Sequence, residues 1–149
     1  MISNRPCVYL AAPLFSDGER ASNRDIARRL SGAADVFVPQ DDGLLLVDLV
    51  EQGMQIEEAK RRIFQADVAA ITRCDVLVIV MDGRSIDEGA SFELGYAYAS
   101  GKVCVGLKTD VRSLLPIGDN PMIECAVRRI FRQVEDLAEW LSGVAWKPS

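Results

Sequence analysis

The chain has 149 residues, 49% of them hydrophobic and 26% charged, enough for one compact core and too few for a second. Its 17 Lys and Arg stand against 22 Asp and Glu, a net charge of -5, so its overall field repels phosphate backbones and anionic lipid and argues against nucleic-acid or membrane-surface binding. Histidine is absent, which removes the commonest general base and metal ligand and leaves proton transfer to carboxylates, tyrosines, cysteines or lysines.

Short β-branched apolar runs alternate with longer helical patterns, as in a parallel sheet covered by helices on both faces. The first run covers residues 7–12 and ends at Pro13 and a polar turn. A helix is expected over about 18–30, a short strand over 36–38 stopped by Pro39, and an acidic, glycine-bearing loop over 40–43. Across 54–72, Ile56, Ala59, Ile63, Ala66 and Ala70 recur three or four apart, as on one helix face. The unbroken apolar run 76–81 reads as a buried central strand closed by Asp82-Gly83. A helix over 87–100 ends at Gly101, where a left-handed residue is wanted, and 103–107 is a fourth strand. Residues 111–125 hold Pro116, Gly118 and Pro121 and read as a long loop with at most a short helix. An edge strand over 129–131 and a helix over 134–141 close the chain.

The expectation is an α/β fold in one domain over 1–149: a doubly wound open sheet of about five mostly parallel strands, three-layered and flavodoxin-like or Rossmann-like. The four cysteines form no C-x-x-C pair and read as small core residues in a reducing compartment. Met1 to Pro6 carry no apolar leader, and no run approaches the ~18 apolar residues of a membrane span, so a cytoplasmic location is expected.

In open sheets of this kind ligands sit at the carboxyl ends of the strands, which directs attention to residues 12–20, 39–43 and 82–88. The helix that follows the last of these carries Glu93, whose neighbours three and four positions away are Gly89, Ala90, Tyr96 and Ala97. No cation on its own helix can pair with it. A carboxylate on a face of small residues suits a nucleophile or an acid, and burial there raises its pKa; the alternative is an ion pair with an arginine from another element. Asp87 has the simpler reading of a helix cap. Asp67 reads as an acid that could lie on a solvated face, and Tyr9 places a hydroxyl near the end of an otherwise apolar strand, where a carboxylate would partner it.

These residues resemble the nucleoside 2-deoxyribosyltransferases. The resemblance rests on Val8-Tyr9-Leu10-Ala11-Ala12-Pro13-Leu14-Phe15 as the opening strand and loop, on the acid-bearing segment from Asp67 to Asp75 leading into the central strand, on Asp87 followed by Glu93-Leu94-Gly95-Tyr96-Ala97, and on Asn120-Pro121-Met122 as an Asn-x-Met element. It implies that Glu93 attacks C1′ of a 2′-deoxynucleoside, that Asp87 protonates or hydrogen-bonds the leaving base, that Asp67 helps hold the base and that Tyr9 orients Glu93. Phe15 would pack on the nucleoside, and Asn120 and Met122 would come from a neighbouring subunit, with Asn120 near the 5′-hydroxyl. A second base, or water, then takes the deoxyribosyl group. The scheme parallels retaining glycosidases and calls for no histidine, metal or cofactor. The expected partners are 2′-deoxynucleosides, free purine or pyrimidine bases, and further copies of the chain in a dimer or a multiple of dimers. Departing from the family, the loop after the second strand reads Pro39-Gln40-Asp41-Asp42-Gly43, so a base contact there would fall to Asp41 or Asp42 or be missing.

Two rival readings stand beside it. A nucleoside 5′-monophosphate N-glycosidase would need a phosphate site, for which Ser16 and Arg20 are the candidates, opposed by Asp17 and Glu19. A receiver-like module could use Asp82 as phosphoacceptor, yet the first strand ends in Ala11-Ala12-Pro13 without the acidic pair such a site requires, and a nucleoside-binding sensor would bind without turnover.

Overall fold

The computed structural model describes residues 5–148; Met1 to Asn4, read above for a leader, lie outside the described residues. Strand β1 (Cys7–Ala11) is followed by helix α1 (Asp17–Leu30), which begins one residue before the expected start because Ser16 caps it. Ser16 Oγ accepts from Glu19 N and the Glu19 carboxylate accepts from Ser16 N, a reciprocal capping box that satisfies two otherwise orphaned donors. Strand β2 (Asp35–Phe37) runs into Pro39, whose fixed φ starts a helix as readily as it ends a strand. The expected loop over 40–43 is therefore a short helix, α2 (Pro39–Asp42), and a second short helix, α3 (Leu46–Glu51), follows where none was expected.

Helix α4 (Ile56–Arg73) leads into β3 (Val76–Val80), and α5 (Glu88–Ala99) into β4 (Val103–Leu107). Gly101, at φ +74, turns the chain out of α5 as its position suggested. The long segment after β4 contains one short helix, α6 (Pro121–Glu124), before β5 (Ile130–Phe131) and α7 (Val134–Ser142).

The five strands are all parallel, in the order β2-β1-β3-β4-β5, the flavodoxin-like arrangement. Side chains alternate across the sheet with period two. Val8, Leu10, Val76, Val78, Val103 and Val105 pack under α1 and α7, while Tyr9, Ala11, Leu77, Ile79 and Cys104 pack under α4 and α5. The chain leaves β1 toward β2 on one side and reaches β3 on the other, so the crevice opens at the carboxyl ends of these neighbours, with α4 and α5 as its walls.

Two expectations need correction. Ile56, taken as an inward position of α4, is 53% exposed, because the helix turns its Ala59, Ala70 and Ile71 side to the sheet. The cysteines are not uniformly core: Cys74 and Cys104 are buried, Cys7 is half-buried with its sulfur 2.7 Å from that of Cys74, and Cys125 is exposed. Among the described residues no helix is long and apolar enough to cross a membrane.

The capping box yields a stability prediction. Ser16→Ala should cost about 1 kcal/mol, the usual value of such a cap. For a domain of this size that is a fall of about 2–4 °C in Tm, read by circular dichroism, and Ser16→Asp should recover most of it.

Candidate active site

A cavity of about 560 Å³ lies at the carboxyl end of the sheet. From α4 it takes Lys60, Ile63, Phe64, Asp67, Val68 and Ile71, a stripe spaced three and four apart along one helix face. From α5 and its cap it takes Asp87, Gly89, Phe92 and Glu93. Leu14 and Phe15 close one side and Leu44, Leu45 and Leu46 another. Phe64 and Phe92 meet across the two helices with ring centroids 5.8 Å apart, so the walls present aromatic faces.

The polar groups at its base are unusual in their lack of partners. Among the described residues, the buried side-chain oxygens without a hydrogen bond are Tyr9 Oη, Asp67 Oδ1 and Glu93 Oε2. All three belong to one cluster. Buried polar atoms are nearly always paired, so three orphans in one place mark a site built for something other than stability. The arginine partner that Glu93 could have found elsewhere in the fold is not there: no ion pair to Glu93 exists among the described residues.

Burial pushes the Glu93 carboxyl up to about 8; the Tyr9 hydroxyl beside it offsets part of that rise, and the charges of Asp67 and Asp87 add to it. Burial likewise lifts Asp67 to about 6. The Tyr9 phenol is held above its ordinary value by burial first and then by Glu93 and Asp67, so it stays a neutral donor. Tyr9 is fully buried and stacks on Phe37 of β2, with centroids 5.5 Å apart and planes at 17°, which fixes its ring beneath the carboxylates. Tyr9 Oη and Glu93 Oε2 are each left without a hydrogen-bond partner.

Asp87 does both things the sequence left open. Its Oδ2 accepts from Ala90 N at 2.9 Å as the cap of α5, and the same carboxylate lines the cavity beside Glu93. Gly89 leaves room for it, since a Cβ there would lie 3.2 Å from Asp87 Oδ2. The loop that delivers Asp87 is stapled to the loop after β4: Asp82 Oδ1 accepts from Thr109 N and Asp110 N, its Oδ2 from the Thr109 hydroxyl, and Gly83 N donates to Asp110 Oδ2. Gly83, at φ +100, makes the turn that this staple needs.

Of the residues singled out in the sequence, Glu93, Asp87, Tyr9, Asp67 and Phe15 gather at this cavity, Phe15 with 76% of its surface exposed at the rim. Asn120 and Met122 do not. They line a separate cavity of about 400 Å³ on the far side of Phe92, with Met122 79% exposed. Asp41 is not among the lining residues; its carboxylate is held by Arg24 through Nε and Nη2 and lies below its usual pKa for that reason. Ser16 and Arg20, the phosphate candidates, are also committed, Ser16 as the α1 cap and Arg20 to Leu14 O and Asp17. The sequence reading missed Phe64, Phe92 and the Leu44–Leu46 wall. Stepping three and four positions back from Asp67 along α4 reaches Phe64, Ile63 and then Lys60, so the signal was present for the helical part.

The model of the family described as nucleoside 2-deoxyribosyltransferase matches residues 8–140. The chain belongs to the nucleoside 2-deoxyribosyltransferase family. Among solved structures, a conserved protein from Enterococcus faecalis V583 is 24% identical with a TM-score of 0.77, covering 92% of this chain and 97% of that one. A 2-deoxyribosyltransferase from Bacillus psychrosaccharolyticus is also 24% identical, with a TM-score of 0.69 over 89% of this chain and 90% of that one. A CMP N-glycosidase from Clostridium botulinum is 18% identical, with a TM-score of 0.52 over 92% of this chain and 99% of that one. These likenesses bear on the fold, the five-stranded parallel sheet described above. A search of curated proteins finds no significant match.

The raised Glu93 pKa is also a statement about stability. Folded Glu93 keeps its proton between its unfolded value of 4.5 and about 8, so over that window the native state binds more protons than the unfolded chain and stability falls as pH rises. The penalty is absent below about pH 4.5 and complete above about pH 8. Glu93→Gln should therefore raise Tm relative to the unmodified protein at pH 9 and change it little at pH 5. Equal Tm differences at both values would show that Glu93 ionises in the fold as it does in water.

Proposed function

We propose that the protein transfers the 2-deoxyribosyl group of 2′-deoxynucleosides between bases through an ester on Glu93, with hydrolysis as a side reaction. The observation that carries this reading is the Glu93 carboxylate, buried without a cation at the foot of an apolar cavity and flanked by two further carboxyl groups and a neutral tyrosine. A poorly solvated carboxylate is a strong nucleophile once ionised, and an adjacent carboxylic acid supplies the proton the leaving base needs.

In the first step a Glu93 oxygen forms a bond to C1′ as the C1′–N bond breaks, and the base leaves with a proton from Asp87. In the second, a nitrogen of an incoming base attacks C1′, Glu93 departs as carboxylate and the proton returns to Asp87. Tyr9 donates to the Glu93 carboxylate and holds it toward the sugar. Asp67 contacts the base edge, while Phe15, Phe64 and Phe92 offer faces on which a purine or pyrimidine stacks. The acceptor is a second planar base, for which apolar walls are a better host than for water.

Three carboxyl groups and one lysine, Lys60, are the ionisable groups of the cavity lining, a setting that favours a neutral nucleoside over a phosphate dianion. The commitment of Ser16 and Arg20 to the first loop points the same way. Asp82, with both oxygens bound to the loop after β4, is poorly placed to accept a phosphoryl group, which weighs against the receiver-like reading. Asn120 and Met122, which line the cavity on the other side of Phe92 and not the one that holds this chain's own Glu93, suit a role in the site of a neighbouring copy, and the working unit is then a dimer or a multiple of dimers.

Incubation with deoxyinosine and adenine should yield deoxyadenosine, and a 2-fluorinated deoxynucleoside should leave a stable adduct on the peptide containing Glu93, seen by mass spectrometry. Release of base from deoxyinosine monophosphate but not from deoxyinosine would instead identify a nucleotide N-glycosidase. Asp87→Asn should slow turnover ~10²–10⁴-fold, the range for lost acid–base assistance. Because Glu93 attacks as the carboxylate and keeps its proton up to about 8, kcat/KM should rise with pH through about that value. Asp67→Asn should move that rise to lower pH by removing a negative charge beside Glu93, and an unmoved rise would break the link between the two carboxyls.

A further inference from the structure

Away from the Glu93 cluster, the described residues contain one other buried ionic group. Lys108 and Asp119 form an ion pair with side chains only 2% and 4% exposed. Removing two charges from water is costly, and replacing such a pair by apolar side chains is often neutral or stabilising, so its presence asks for a purpose other than stability. The geometry around it supplies one. Lys108 N donates to Phe131 O at the β4–β5 seam, which roots the lysine in the sheet. Asp119 uses Oδ2 for Lys108 and Oδ1 for Leu114 N, and its own N–H donates to Glu124 Oε1. The ion pair thus ties the far end of the 108–119 segment back to the end of β4.

Asn120 is the next residue. Its Oδ1 accepts from Met122 N at the start of α6, which leaves its amide N–H groups as donors. The segment is inverted relative to an ordinary loop: its charged pair faces inward, while Val111, Ile117 and Met122 are 95%, 96% and 79% exposed. An apolar exterior held on a rigid ionic staple presents Asn120 and Met122 in a fixed direction.

We propose that Lys108 and Asp119 are positioning residues, whose buried ion pair fixes the Asn120–Met122 segment for use in the active site of a second copy of this chain. The inference rests on the shared-site reading given above. The pair itself touches no substrate.

The test uses Lys108→Met/Asp119→Asn, which removes both charges while keeping an acceptor for Leu114 N, with circular dichroism to confirm the fold. Expected is a fall of about 10–100-fold in kcat/KM for deoxynucleoside, the cost of a displacement near 1 Å, carried mainly by KM and with the pH at which activity rises unmoved. Co-expressed with Glu93→Gln, the double variant should regain activity, because the hybrid dimer joins its intact Glu93 to a correctly held Asn120 from the other chain. Asn120→Ala co-expressed with Glu93→Gln is the control and should also regain activity. If the control recovers and the double variant does not, the pair acts within its own chain and the inference is overturned. Unchanged kcat/KM in the double variant alone overturns it as well. If neither mixture recovers, the shared site itself is wrong and the inference falls with it.

Discussion

A carboxylate kept from water with no cation beside it is the constraint around which this molecule is arranged. Glu93 is placed on α5 among Gly89, Ala90 and Ala97, over a strand that offers only the Tyr9 hydroxyl, and its cluster holds every buried side-chain oxygen that lacks a partner among the described residues. Such an arrangement lowers stability wherever Glu93 is ionised, and folds tolerate that only where function demands it. The fold can bear the cost because both faces of the sheet are packed without interruption, one by α1 and α7, the other by α4 and α5.

Topology decides where that carboxylate meets a ligand. With β1 and β3 adjacent and their outgoing connections diverging, the carboxyl ends of the strands open between α4 and α5. Each helix then contributes one face: Asp67 with Phe64 and Ile63 from α4, Glu93 with Phe92 and Gly89 from α5. Meanwhile the cations of the first helix are spent elsewhere, Arg24 on Asp41, Arg28 on Asp25 and Arg29 on Glu135. The acidic character of the cavity is thus a matter of distribution as well as of net charge, since the guanidinium groups of α1 are engaged away from it.

What could be seen in the sequence followed from periodicity. The runs over 76–81 and 103–107 specify parallel strands almost to the residue, because a fully buried strand admits only apolar side chains, and Gly101 marks the end of the helix between them. Glu93 stood out for the same reason, as a charge on a helix face that has no partner three or four residues away. The segment 39–55 was illegible, since Pro39 and two short helices carry no sustained period, and with it went the Leu44–Leu46 wall. The dual use of Asp87 as cap and cavity acid could not be separated by sequence, because a helix N-terminus and a site at the carboxyl end of a sheet are the same place in this fold. Nor could the Lys108–Asp119 pair be found, as nothing in the spacing of a lysine and an aspartate eleven positions apart says that both are buried.

A CMP N-glycosidase and a 2-deoxyribosyltransferase both superpose on this chain, so the fold does not choose between passing a sugar to water and passing it to a base. On the proposed chemistry that choice belongs to the second half of the reaction, when the departed base leaves a space bounded by Phe15, Phe64, Phe92 and the leucines after α2. Water gains little from such walls, whereas a planar base buries apolar surface against them and brings a nitrogen to C1′. Hydrolysis is then limited by the affinity of the empty base pocket for a second base, not by the nucleophile. On the proposed chemistry, the same walls that desolvate Glu93 and lift its pKa would also direct the fate of the ester, tying the energetic cost of the site to its selectivity through one feature of the structure.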